Sequence, residues 1–365
     1  MSEYQMNTPP SGARSLCGDG RHADNKSATD ATRNHSIDWI AGLLTLVVIV
    51  QHIDDLSHQS FWWRECGGGK IFYFYMAWFF FKSGSFEKDR SMRASYRKVL
   101  SSLVVPYLFF SILSWVLWAP GYMSSHGWSL HWLLGATIMR FYQLGYIPND
   151  GPIWFLIALI ICRLMYPVAK RYLRNNYTIA AVGWLLAAAY YAVYHSVSNP
   201  QYVFIALPQG LMGLSLYALG AQLRESQYRW QLYLVSFAIY LTALCIDDGF
   251  TMNFSRAGLT SQWLAWLTAL PLWIAGVIAC NNLIGRMPQW FFRIFNLGYI
   301  GRNSMTYYCG HFIVLTSVVF VYEKMGWTHP VLPLPCAMAL LCVVVLPLAD
   351  KLLRRYMPWA VGLRA

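Results

Sequence analysis

The sequence is poor in charged residues. Only 12% of its 365 residues are Asp, Glu, Lys or Arg, while 57% are hydrophobic and 17% aromatic. A soluble globular domain has roughly 25% charged residues, so the deficit excludes a disordered chain, a coiled coil and an ordinary cytosolic enzyme. The net charge of +12 is spread along the chain rather than clustered on one polar domain, and it does not indicate nucleic-acid binding. The composition predicts a polytopic membrane protein.

Motifs of several enzyme classes are also lacking. The chain has no GxxxxGK[ST] phosphate loop, no HExxH zinc motif and no GxSxG nucleophile elbow. Its eight cysteines show no spacing typical of a zinc site or a disulfide framework, and we predict no metal site. Residues 1–36 contain no apolar core, so a cleavable signal peptide is not expected.

Long apolar runs make up most of the remaining sequence. A membrane-spanning helix needs about 20 residues, and the runs predict an all-α transmembrane bundle of about ten helices. Residues 129–147 also form an apolar run, but it contains polar residues, so we expect a re-entrant or interfacial helix there. The predicted spans are 37–53, 71–86, 99–118, 152–169, 178–195, 202–222, 230–246, 263–283, 298–322 and 330–350.

The distribution of Lys and Arg predicts that both termini are cytoplasmic. In this orientation the cytoplasmic segments contain 22 of the 28 Lys and Arg residues, and the opposite side contains five. Such a bias is what the positive-inside rule requires. The predicted domains are a polar cytoplasmic tail (1–36), a transmembrane domain (37–350) and a basic cytoplasmic tail (351–365).

Ionisable side chains within the predicted spans are costly to bury and are candidates for function. His52 lies about 22 Å along the first helix from Ile37, where an imidazole can accept and return a proton. A helix-end histidine bonded to a neighbour would explain it as well. Arg163 lies within a span and needs a partner or an anionic ligand. Three other residues have ordinary structural explanations. Lys82 can be a snorkelling anchor, His311 a core histidine, and Asp38 a charge that interacts with the N-terminus of its helix.

Five stretches resemble the acyltransferase-3 family of integral membrane acyltransferases. They occur in family order and extend over most of the chain from about residue 33 to 320. The ten-span arrangement with both termini inside also agrees with that family. The five stretches are Arg33–His52 (RNHSIDWIAGLLTLVVIVQH), Phe79–Phe86 (FFFKSGSF), Arg97–Tyr107 (RKVLSSLVVPY), Gly151–Leu156 (GPIWFL) and Tyr299–His311 (YIGRNSMTYYCGH).

The resemblance implies transfer of an acyl group, acetyl from acetyl-CoA above all, to a hydroxyl group of a carbohydrate. The acceptor would be a lipid-linked or cell-surface glycan at the inner membrane of a bacterium. We expect no permanently bound cofactor, and the partners would be the acyl-CoA donor, the glycan and membrane lipids, with no nucleic acid. In this scheme the catalytic residues are His52 as general base, Asp38 and Ser83. The substrate- and donor-binding residues are Lys82, Arg163, Arg302, Asn303, Ser304, His311 and Trp154.

Within that scheme, hydrogen bonds to the developing oxyanion would come from Ser83, Asn303 or Ser304. One position departs from the family pattern, because Ala41 replaces the usual Arg or Lys that precedes the histidine with ten residues between them. Three cations are candidates both for the CoA phosphates and for this missing charge: Lys82, Arg163 and Arg302. Two alternatives stay open, namely a transporter or flippase of lipid-linked sugars and a catalytically inactive relative of the family.

Overall fold

The computed structural model describes residues 35–58, 65–144, 146, 150–196, 204–245, 263–294, 296–327 and 333–363. Helices account for most of these residues, and none of them belongs to a strand. The all-α class is therefore confirmed. The predicted tail 1–36 lies outside the described residues except for its last two.

Fifteen α-helices follow one another in the described parts of the chain. A π-helical turn, Leu100–Val104, joins the fourth helix to the fifth. The helices are α1 His35–Ser57, α2 Gly68–Ile71, α3 Tyr75–Ser85, α4 Met92–Val99, α5 Val105–His126, α6 Leu130–Leu144, α7 Trp154–Leu173, α8 Asn176–Ser196, α9 Ala206–Leu223, α10 Trp230–Cys245, α11 Trp263–Gly285, α12 Gln289–Ile294, α13 Leu297–Arg302, α14 Ser304–Lys324 and α15 Pro333–Tyr356.

Seven stretches of the described residues are long and apolar enough to cross a membrane, so the chain is a multi-pass membrane protein. The predicted total of ten spans stays a prediction. The 129–147 segment contains α6, whose 15 residues fall short of the about 20 that a span needs. The seven stretches are His35–Ser57, Met92–His126, Gly151–Leu173, Asn176–Val193, Thr268–Gly285, Ser304–Lys324 and Leu334–Tyr356.

Two predicted spans are discontinuous in the structure. Within 71–86, a turn at residues 72–74 separates α2 from α3, which has only 11 residues. Within 298–322, the helix breaks at Asn303, whose φ of −109° is not helical. Apolar composition continues through both breaks, so the hydropathy pattern gave no sign of them.

The third predicted span, 99–118, starts earlier than expected. Its helix begins at α4, where the Ser91 hydroxyl caps the first turn by accepting a hydrogen bond from the Ala94 N–H at 3.4 Å. The π-helical turn then precedes Pro106, which has no N–H to donate to the carbonyl of Ser102. A widened turn accommodates the missing hydrogen bond and the proline ring. Because α4 contains charged residues, the hydropathy pattern does not detect the start of this helix.

The C-terminal segment also differs from a simple tail. Helix α15 continues past residue 350 to Tyr356, and a 3₁₀-helix at Pro358–Val361 follows. This short helix packs against α5, where the Trp359 and Phe109 rings lie 5.5 Å apart and Ala360 is fully buried. Residues 351–363 are thus part of the folded bundle.

Helix α9 occupies the centre of the bundle, between α3, α7 and α8. Thirteen of its 18 residues are buried. Glycines allow α3 and α9 to approach closely, because Gly84 lies against the backbone of Tyr217 and Gly220 lies against the backbone of Phe81. Small residues at such contacts are the usual means of packing transmembrane helices.

Substitution of Gly84 by Ala should destabilise the protein by about 1–3 kcal/mol. A methyl group there would collide with the Tyr217 carbonyl, which belongs to the α9 backbone and cannot rotate away. The matched control is Gly121→Ala in α5, where the new methyl group meets no heavy atom within 4 Å. Thermal unfolding in detergent should show a lower Tm for Gly84→Ala only. An equal effect of the two substitutions would contradict the close α3–α9 contact.

Candidate active site

Two histidines from distant parts of the sequence meet inside the bundle. Their rings, His52 on α1 and His311 on α14, stack with centroids 5.4 Å apart and an interplanar angle of 27°. Phe312 packs edge-on against the His52 ring, also at 5.4 Å. His311 is completely buried, whereas 23% of the His52 side chain is exposed. These two residues are termed the histidine pair. Their contact could not be predicted from the sequence, in which they lie far apart.

The hydrogen bonding of His311 defines its tautomer. Its Nδ1 lies 3.0 Å from the carbonyl oxygen of Tyr307. A carbonyl oxygen only accepts, so in the neutral ring Nδ1 carries the proton and Nε2 presents a lone pair. That Nε2 is buried and has no hydrogen-bond partner among the described residues. The His52 Nδ1 instead faces the Asp55 carboxylate at 3.7 Å.

Contacts from α3 and from the start of α7 surround the histidine pair. The Tyr75 hydroxyl donates to Gln51 Oε1 at 2.8 Å, one residue before His52. The Tyr308 hydroxyl donates to the carbonyl oxygen of Pro152 at 2.7 Å, which ties α14 to the segment preceding α7. Four helices therefore converge at the pair.

Helix α3 runs parallel to α11, since Tyr73 bonds to Leu272 and Trp78 to Asn281. The last residue of α11, Gly285, lies near Ser36 at the start of α1, so α1 and α3 are antiparallel.

Asp38 does not lie beside His52. Fourteen positions separate the two on α1, which corresponds to about 21 Å. Gly301 lies against the Asp38 backbone, so α13 meets α1 at this opposite end of the bundle, termed the Asp38 end. Three predicted site residues follow Gly301 directly and are therefore at the Asp38 end: the exposed Arg302, the buried Asn303 and the partly buried Ser304.

A fully buried carboxylate supports the junction of α13 and α14. Asp350 accepts hydrogen bonds from the Tyr299 hydroxyl at 3.0 Å and from the Thr306 hydroxyl at 2.7 Å. It also accepts two from Arg354 Nε, at 2.8 and 3.0 Å. Every side of this carboxylate is thus occupied, and Asp350 acts as a structural link between α13, α14 and α15.

Lys82 and Ser83 lie on α3, between the histidine pair and the Asp38 end. Lys82 Nζ is 5.1 Å from the centre of the Trp78 ring, in a cation–π contact. Ser83 precedes Gly84, the residue that lies against α9, and is partly buried. Both are about 10–12 Å along the helix from Tyr75, which contacts the residue next to His52. The structure does not bring either side chain together with the histidine pair.

Arg163 has a protein partner. Its Nη2 lies 3.9 Å from Glu87 Oε2, and both side chains are mostly buried. Glu87 also accepts a hydrogen bond from the Tyr217 hydroxyl. Of the two alternatives for this arginine, a partner or an anionic ligand, the structure supplies the partner. Trp154 is a core residue, 7% exposed and edge-on to Phe155 at 6.2 Å.

A large cleft opens where α3 and α7 end and α4 begins. Its volume is about 970 Å³. Because α3 runs antiparallel to α1, the cleft lies toward the Asp38 end, just beyond Ser85, which is about 15 Å along α3 from Tyr75. The expected phosphate-binding residues Lys82, Arg163 and Arg302 are not among its lining residues. The cleft, termed the basic cleft, is lined by the cations Lys88, Arg90, Lys170, Arg171, Arg224 and Arg229, by the acids Glu87, Asp89 and Glu225, and by neutral residues.

Sequence reasoning missed Glu87 and the cations of the basic cleft. All of them belong to segments that the charge count had already assigned to one side of the membrane. The signal that could have found them is the density of Lys and Arg in the loops that follow α3, α7 and α9. The pairing of a loop acid with Arg163, however, depends on tertiary contacts that no local pattern reports.

Comparison with known proteins identifies a family. A family model described as "Acyltransferase domain", of the acyltransferase-3 family, matches residues 34–351. No curated protein and no solved structure matches the chain. The matched region includes α1 with His52, the Arg163–Glu87 pair and α14 with His311.

Single substitutions Arg163→Gln and Glu87→Gln should each destabilise the protein, because each leaves a mostly buried charge without its partner. The double substitution should cost less than the sum of the two, with a coupling free energy of about 0.5–3 kcal/mol. Thermal unfolding of the four proteins measures this cycle. Strictly additive losses would show that Glu87 is not the functional partner of Arg163 and would return the arginine to the list of ligand-binding residues.

Proposed function

Because the chain belongs to the acyltransferase-3 family and is a membrane acyltransferase, we propose that it transfers an acetyl group from acetyl-CoA to a hydroxyl group of a carbohydrate. The observation that carries this proposal is the histidine pair: an accessible imidazole stacked on a buried one with a free lone pair. The carbohydrate would be a lipid-linked or surface glycan, and the membrane would be the inner membrane of a bacterium.

His52 acts as the general base in this mechanism. It removes the proton of the acceptor hydroxyl while the hydroxyl oxygen attacks the thioester carbonyl carbon. The resulting tetrahedral intermediate collapses with cleavage of the C–S bond, and the CoA sulfur takes the proton back from His52. The products are the acetyl ester and free CoA. The Asp55 carboxylate, 3.7 Å from Nδ1, stabilises the imidazolium that forms between these steps.

The donor enters from the basic cleft. Its six cations suit the phosphate groups of a nucleotide-containing thioester, since Arg and Lys form charge-assisted hydrogen bonds with phosphate oxygens. The acyl end of the donor then reaches along α3 toward His52. On this path Lys82 and Ser83 contact the donor between the two sites, and neither is close enough to His52 to bind the oxyanion.

Arg302 supplies the cation that the family carries at the position of Ala41. Ala41 is fully buried one turn along α1 from Asp38. Arg302 follows Gly301, whose backbone contacts that of Asp38. Arg163, in contrast, is paired with Glu87. In this assignment Asp38, Arg302, Asn303 and Ser304 act at the donor end of the bundle rather than on the reacting atoms.

Replacement of His52 by Ala should lower acetyl transfer by about 10²- to 10⁴-fold, the usual contribution of a general base. Transfer is measured as label from acetyl-CoA incorporated into glycan by membranes with equal amounts of each protein. The control is His126→Ala, at the exposed end of α5, which should keep wild-type transfer. Wild-type activity in the His52 variant would remove this residue from the mechanism. A wild type without transfer to any supplied glycan would favour the transporter or the inactive relative.

Substitution of Arg90 and Arg171 by Gln should raise the KM for acetyl-CoA by about three- to tenfold per residue, with little change in kcat. Each removes one exposed charge from the basic cleft, and a tenfold change corresponds to about 1.4 kcal/mol. The matched control is Arg140→Gln, an exposed cation on α6. Initial rates over a range of acetyl-CoA concentrations test this. An unchanged KM in both cleft variants would move the donor to another site.

A further inference from the structure

A second buried aspartate, Asp150, lacks the hydrogen-bond partners that Asp350 has. Asp150 precedes the 3₁₀-helix Gly151–Ile153 and is completely buried. Neither oxygen of its carboxyl group has a hydrogen-bond partner among the described residues. Burial alone raises the pKa of this carboxyl well above its usual value, with no cation offsetting it. When it is protonated, the Asp150 carboxyl group offers one O–H donor and one acceptor oxygen.

Other buried hydroxyl groups near Asp150 also lack partners. The Tyr107 and Ser111 hydroxyls lie one turn apart on α5, close enough to interact with each other, and both are buried with no further hydrogen-bond partner among the described residues. Tyr107 is near enough for the Asp150 charge to act on its hydroxyl. Tyr107, Ser111 and Asp150 are termed the polar pocket. Unsatisfied buried polar groups cost about 1–3 kcal/mol each, so a cluster of them indicates a ligand that completes their hydrogen bonds.

The polar pocket borders the histidine pair. Tyr308 is also close enough to Asp150 for the two side chains to interact electrostatically, and the Tyr308 ring lies 6.1 Å from the His311 ring on the same helix face. A Cβ atom on Gly151 would lie 3.6 Å from the Phe312 ring, which packs against His52. The backbone next to Asp150 thus contacts the wall of the histidine pair. The buried lone pair of His311 Nε2 adds one more acceptor to this region.

The donors and acceptors of this region suit neutral hydroxyl groups better than a cation. A hydroxyl group both donates and accepts, so neighbouring hydroxyls of one molecule can satisfy the Asp150 carboxyl, the two α5 hydroxyls and His311 Nε2 together. A bound cation would leave the donors unsatisfied. The described residues also include no group of three or more His, Cys, Asp or Glu side chains that could hold a metal ion.

We propose that the polar pocket and His311 bind neighbouring hydroxyl groups of the carbohydrate acceptor, with Asp150 holding the hydroxyl next to the one that is acylated. This inference rests on the proposed function for its ligand class. It makes Asp150 a binding residue that determines acceptor affinity, and it accounts for a carboxyl group that nothing in the described protein satisfies.

The test compares the full-length wild type with Asp150→Asn and Tyr107→Phe, which keep the side-chain volumes. Glu323→Gln, an exposed acid at the far end of α14, is the matched control. The probes are free glucose, galactose, mannose and N-acetylglucosamine. Two readouts are used: the shift in Tm that each sugar causes in the detergent-purified protein, and the KM values for sugar and for acetyl-CoA in acetyl transfer.

We expect at least one sugar to raise the Tm of the wild type and of the control, but not of either pocket variant. The acceptor KM should rise by about tenfold in Asp150→Asn, equivalent to about 1.4 kcal/mol, with the acetyl-CoA KM unchanged. Sugar-free Tm should not fall in Asp150→Asn, since no hydrogen bond of the empty protein is lost. If Asp150→Asn does not fold, the same comparison is made with Tyr107→Phe.

The outcomes separate the two proposals. Sugar stabilisation that depends on Asp150, without any acetyl transfer, would support the pocket and refute the acetyltransferase. Acetyl transfer with an unchanged acceptor KM in both variants would support the enzyme and overturn the pocket. If no sugar stabilises the wild type, the pocket holds buried water only and the inference is wrong.

Discussion

Polar groups inside a membrane bundle cannot rely on water, so each must find its hydrogen-bond partner in the protein or in a ligand. Most polar groups of the described residues obey that constraint. The Trp78 indole N–H donates to Asn281 at 2.7 Å, Asn281 donates to Gln227 at 2.9 Å, and Asp350 receives four hydrogen bonds. The first of these satisfied networks joins α3 to α11, and the second joins α13, α14 and α15. They also make it easier to identify the places where the constraint is not met.

Unmet groups gather where α1, α5, α7 and α14 converge. His311 Nε2 and both oxygens of Asp150 are buried without partners among the described residues. A purely structural core would replace such groups with apolar ones at a gain in stability. The cost is understandable if substrates complete the hydrogen bonds during the reaction, because buried unsatisfied polar groups in a native structure often have a catalytic or binding role. The basic cleft, in contrast, is open and charged, as a site for a soluble phosphorylated donor would be.

Much of the fold could be predicted from apolar runs, including α1 with His52 and the bounds of α7, α8 and α11 to within a few residues. The failures have local causes. A turn interrupts the 71–86 run without changing its composition, and Pro106 with its π-helical turn lets a charged segment join the third span. Hydropathy reports neither feature, because it measures composition and not backbone hydrogen bonding.

The site was harder to predict than the fold, because its contacts join residues that are remote in sequence. His52 and His311 were each recognised as unusual, but their stacking requires the packing of α1 on α14. Arg163 was recognised as needing a partner, and only the tertiary structure identifies Glu87. The sequence gives no signal for Asp150, since one acid before a span resembles an ordinary loop residue. Asp150 becomes a candidate functional residue only because it is buried without a hydrogen-bond partner, and a sequence does not show this.

The central claim is that the histidine pair works as one unit in acyl transfer, because His311 holds the acceptor in place while His52 deprotonates its hydroxyl group. The most direct measurement is the rate of labelled acetyl transfer from acetyl-CoA by the reconstituted protein, for His52→Gln, His311→Gln and the double variant. Residues that act as a unit give losses that do not add, so the account predicts that the double variant is no slower than the slower single one. Losses that multiply, or a fully active His311 variant, would contradict it.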